Sequence, residues 1–172
     1  RSRLNPGKSA MLADSGPLFN VPAGATALEA PSAPLHATIR AAWGIDGPDG
    51  MVQRLLSRYP GVQADTRNLS VLNTTIAQVF PQDRIGYTLT QSDKLFAAFA
   101  YDNFFPEIPA AKTIAERDAL RVSKWRQEVA HWVQPMAPYP NLGYYLPYSR
   151  DNVLKSHTTT MITFNDTDVP EA

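Results

Sequence analysis

Four stretches decide how this chain reads: Leu35-His36-Ala37-Thr38-Ile39, Met51-Val52-Gln53-Arg54-Leu55-Leu56-Ser57-Arg58-Tyr59, Gly61-Val62-Gln63-Ala64-Asp65 and Leu72-Asn73-Thr74-Thr75-Ile76. Leu35, Ile39, Ala42 and Trp43 fall at helical spacing, with Ser32 in position to cap and Pro34 in the first turn. Gly44 is a natural stop. A second helix opens around Asp46–Asp49, carries Met51, Val52, Leu55, Leu56 and Tyr59 as its apolar stripe, and ends at Pro60-Gly61. A third begins near Asp65 or Thr66, with Leu69, Leu72, Ile76, Val79 and Phe80 on one face, and stops at Pro81. Ile39 and Ile76 then occupy equivalent places 37 residues apart. The pattern predicts an all-α fold of stacked helical hairpins, because a lone hairpin cannot cover its own apolar face.

Outward from this stretch, Ser92 is placed to cap a fourth helix through about Phe105, burying Leu95, Phe96, Phe99 and Phe104. Thr113 and Glu116 have capping-box spacing, and the helix they start runs to about Val133. Residues 85–90, between the third and fourth helices, fit a short strand, a loop or a helical turn. Prolines 6, 17, 22, 31 and 34 keep the N-terminal arm extended. Prolines 135, 138, 140 and 147 do the same beyond Gln134, and residues 158–164 alternate weakly, as an edge strand would. The division is an arm at 1–33, a helical-repeat domain of about five helices at 34–133 and an extended tail at 134–172.

The 172 residues carry 16 basic and 16 acidic side chains and no cysteine. Neutrality disfavours a broad nucleic-acid surface, and the missing thiols exclude disulfides and thiolate metal sites. No apolar run reaches the ~20 residues of a membrane span. Arg1, Arg3 and Lys8 with no acid in the first thirteen residues read either as the remnant of a transit peptide, for which the mitochondrial matrix is the expected location, or as an ordinary basic terminus.

Leu72-Asn73-Thr74-Thr75-Ile76, the Leu55-Leu56 pair ahead of Tyr59, and the linker Gly61-Val62-Gln63-Ala64-Asp65 resemble the pentatricopeptide repeat. Ala64 departs from the linker proline of that family, and His36 stands where Asn is expected. The resemblance implies organellar location and base reading by Asn73 and Asp65. In size, helical repeat and basic terminus the chain is also similar to the small pentatricopeptide-like extra subunit of protist mitochondrial ATP synthases. The function expected is therefore a non-catalytic accessory subunit of a mitochondrial complex, bound to a large soluble subunit of the ATP synthase catalytic sector. The alternatives are a small RNA-binding protein and a small enzyme with an unrecognised site.

Tyr139, Tyr144, Tyr145, Tyr148 and Phe19 are the expected protein-partner contacts, since aromatic rings bury area while Tyr keeps a polar tip. His36, His131 and His157 lie in different elements, without metal-ligand or triad spacing. Asp46 and Asp49 read as helix-start residues, and Asp102 and Glu107 flank Phe104-Phe105, where burial would raise a carboxyl pKa. No catalytic, cofactor-binding or metal residue is assigned, and no cofactor is expected.

Overall fold

The computed structural model describes residues 7–22, 24–45, 47–62, 65, 67–149 and 156–158. In order the chain forms β1 (Ala10–Asp14), α1 (Ala33–Trp43), α2 (Met51–Arg58), α3 (Val71–Val79), β2 (Arg84–Thr88), α4 (Lys94–Tyr101), α5 (Ile114–Val133), a 3₁₀ turn at Gln134–Met136, and β3 (Leu142–Tyr145). The strands form one sheet in the order β1-β2-β3, parallel throughout. Met11 pairs with Ile85, and Ile85 with Leu142.

The fold is therefore mixed α/β, which corrects the all-α expectation of stacked hairpins. Parallel strands need long crossovers, and those crossovers hold the helices: α1–α3 between β1 and β2, α4–α5 between β2 and β3. The outer strands come from the segments expected to be extended arms. Phe19, Val21 and Ala30 from the first, and Met136 from the second, enter one core with the helices. Residues 159–164 and the acidic end at 166–172 lie outside the described residues, as do Asp46 and Thr66.

The centre of that core is aromatic. Phe19 meets Trp125 edge-on at 4.9 Å and Trp132 at 6.5 Å, and Tyr87 of β2 meets Trp132 at 5.3 Å. Helix α5 begins with the capping box its sequence predicts. Thr113 Oγ1 accepts from the Glu116 N–H, and Glu116 accepts from the Thr113 N–H. Against it lies α4, turned so that Ala97, Ala100 and Tyr101 are buried while Leu95 and Phe99 face out. Small residues at the contact let the two helices approach closely. Arg121 clasps Asp102 with two guanidinium nitrogens and reaches Asp118, and Lys124 pairs with Glu107.

The other departures are local. Helix α3 starts at Val71 because side chains claim the preceding amides: Asp65 Oδ1 accepts from the Arg67 N–H and Asn68 Oδ1 from the Ser70 N–H. Helix α1 ends at Gly44, whose φ is +59°. Helix α2 starts after Gly50, where a Cβ would sit 2.0 Å from the Ile45 carbonyl oxygen. Gly50→Ala should cost at least ~2 kcal/mol in urea unfolding by displacing α2. Gly61→Ala, where a Cβ meets nothing within 4 Å, should stay within ~0.5 kcal/mol.

Glu128 ties the first arm to α5 by accepting the Ser32 N–H at 2.8 Å. Burial pushes its carboxyl up to about 7, against that hydrogen bond. Burial, with the nearby Arg40 charge, pushes His36 down to about 4. Glu128 favours the fold below pH 4.5 and loses that contribution as pH rises through about 7. His36 favours it above pH 6.5 and loses that contribution as pH falls through about 4. Each term is worth up to ~3 kcal/mol, with opposite slopes. Urea midpoints of the native protein should vary little between pH 4.5 and 6.5. In Glu128→Gln they should rise across that window, and parallel profiles for the two proteins would contradict this.

Candidate active site

Beyond Thr88 the chain keeps its place beside β3. Leu89 N–H donates to the Tyr145 carbonyl, and Gln91 N–H to the Pro147 carbonyl. Helix α5 braces this extension. Trp125 Nε1 donates to the Thr90 carbonyl, and Arg126 donates to the Gln91 carbonyl and to Ser92 Oγ. The same guanidinium lies 4.4 Å over the Tyr148 ring, so one side chain ties together the loops that leave β2 and β3.

Asp93 follows at the carboxyl end of β2, with a fully buried side chain. Its Oδ1 accepts the Phe96 N–H at 2.8 Å and caps α4, a task expected of Ser92. Its Oδ2 lies 2.8 Å from Nδ1 of His157, which follows β3. Burial pushes the Asp93 carboxyl up, while the bonds from His157 and Phe96 oppose that shift. The imidazole is a quarter exposed, 6.1 Å from the Phe96 ring. A neutral imidazole that donates from Nδ1 carries its lone pair on Nε2, and Nε2 has no hydrogen-bond partner among the described residues. The result is a buried acid against a partly exposed imidazole beyond the carboxyl ends of a parallel sheet.

Neither residue was legible as a site from spacing. The sequence offers Ser92 as the cap and gives Asp93 no role, and His157 lies 64 positions further on. The signal is an acid after one strand and a histidine after the next, and it shows only once both strands are known.

The residues expected to carry function lie elsewhere. Phe19 is in the core, and Tyr139 is half-buried with its hydroxyl bonded to Gln78. Tyr144, Tyr145 and Tyr148 are exposed near β3. Asn73 is buried and donates to the Leu18 carbonyl, while Asp65 is exposed and pairs with Arg67. His36 is buried on α1 and His131 exposed on α5. Among the described residues no cluster of acids and histidines could hold a metal ion, and no helix is long and apolar enough to cross a membrane. Comparison with protein-family models, curated proteins and solved structures found no match.

Asp93→Asn keeps a cap acceptor but removes the charge facing Nδ1. The proton NMR spectrum should show a strongly deshielded Nδ1–H from His157 in the native protein and lose it in Asp93→Asn. Asp93→Ala should lose the signal and also ~1 kcal/mol of stability with the cap. A signal that survives both substitutions would contradict the contact.

Proposed function

We propose that Asp93 and His157 are the orienting acid and general base of a hydrolase that cleaves an acyl bond such as an ester. The observation that carries this reading is the 2.8 Å contact from a fully buried carboxylate to Nδ1, with Nε2 left for chemistry. In the corresponding mechanism Nε2 removes a proton from an attacking hydroxyl as it adds to the carbonyl carbon. Asp93 stabilises the imidazolium, which then returns the proton to the leaving oxygen. Acid before histidine along the chain is the order found in α/β-hydrolases, where the nucleophile precedes both.

The nucleophile is not assigned. Ser15 closes β1 on the same sheet edge with φ +61°, a strained value for a residue with a Cβ. Its hydroxyl, however, donates to Asp14 Oδ1 at 2.6 Å, and the chain continues through Gly16-Pro17 without a helix. A nucleophile elbow turns directly into a helix.

A second reading is the accessory subunit of a larger assembly, favoured by the exposed rings of Tyr144, Tyr145 and Tyr148. It predicts co-purification with a protein partner and no dependence of any activity on His157.

Hydrolysis of p-nitrophenyl acetate separates the two. His157→Ala should lower kcat/KM by ~10²-fold or more, as removal of a general base does. Asp93→Asn should lower it comparably, and Ser15→Gly, which suits the positive φ, should leave it unchanged. Equal rates for native protein and His157→Ala would overturn the catalytic reading.

A further inference from the structure

Among the described residues, strand β1 is paired on one side only. Ser15 N–H donates to the Thr88 carbonyl and the Ser9 carbonyl accepts from the Arg84 N–H, so the odd-numbered residues turn their backbone groups toward β2. By alternation Ala10 and Leu12 turn theirs the other way, where no described strand lies. Side chains are open there too. Met11 and Leu12 point to opposite faces, and they are 40% and 62% exposed. An edge strand that meets water usually carries charge, proline or a bulge. This one reads Ala-Met-Leu-Ala-Asp, with its single charge at the last residue and exposed apolar Met11 and Leu12 on opposite faces. Parallel sheets are ordinarily covered on both faces.

Beside Met11 the surface drops into a groove of about 680 Å³ with Leu55, Leu72, Ile76 and Phe80 in its walls. Arg54 and Arg58, about one turn apart on α2, stand at it, with no acidic partner among the described residues. We propose that the outer edge of β1 takes a further parallel strand from a partner polypeptide, apolar on both faces and flanked by acidic residues. Its backbone pairs with Ala10 and Leu12, its side chains on the Met11 face lie over the groove, and its acids meet Arg54 and Arg58. A second copy of this chain fits less well. A two-fold axis would set β1 antiparallel to itself and bring more arginines rather than acids. The edge recruits its partner whether or not His157 is catalytic.

The probe is a short synthetic peptide with a Val/Ile core and flanking glutamates, and the readout is amide hydrogen exchange by NMR. Without peptide the Leu12 amide should exchange fast while Met11 and Ala13 are slow. Saturating peptide should slow Leu12 by about tenfold or more. Leu12→Pro removes the outward N–H, so the Ala10 amide is read instead; peptide should no longer slow it while Met11 and Ala13 stay slow. Leu12→Lys, which keeps every backbone group, should weaken it. A Leu12 amide unmoved by peptide would overturn the proposal. So would protection that grows with protein concentration alone as the mass doubles in light scattering, which assigns the edge to a second copy.

Discussion

Strand β2 is paired in the same direction with a neighbour on each side, and this constraint places the rest of the molecule. Two parallel pairings force two long crossovers, and the helices occupy them. They also align the carboxyl ends of all three strands on one edge. Residues far apart in sequence meet there because each follows a strand of the same sheet. Asp93 and His157 are neighbours for that reason, and the Arg126 contacts to both loops hold the arrangement.

The energetics of the two ends of the sheet differ. At the carboxyl edge the buried carboxyl of Asp93 is partnered on both oxygens, one by the α4 cap and the other by His157. A carboxylate held from both sides is a fixed orienting group, and a histidine that donates to it has only one nitrogen left to act. At the β1 edge the situation reverses, with exposed apolar side chains and outward backbone groups that no described strand pairs. The contrast motivates the chemistry proposed at the first end and the association proposed at the second.

The sequence discloses its helices better than its strands, for physical reasons. Helix α5 carries a reciprocal cap and twenty residues of periodicity, and α1 ends on a glycine that only a left-handed turn requires. The strands span four or five residues, include Gly86 and Gly143, and hold few β-branched side chains. Their pairing is long-range, so no local pattern marks it. The repeat of Ile39 and Ile76 is real as spacing, yet both positions pack against a core that also takes in the sheet and the first arm. Asp93 was hidden because Ser92 beside it already supplies a plausible cap, and its partner His157 is 64 residues away. The tyrosines after Gln134 are legible as a cluster, but only the structure separates half-buried Tyr139 from exposed Tyr144, Tyr145 and Tyr148.

That Asp93 works through His157 is the central claim, and a double-mutant cycle of Asp93→Asn and His157→Gln in ester hydrolysis tests it most directly. Groups that act as one unit are strongly non-additive. The double variant should therefore be no slower than His157→Gln alone. Two losses that simply multiply would show the residues acting independently and would contradict the account.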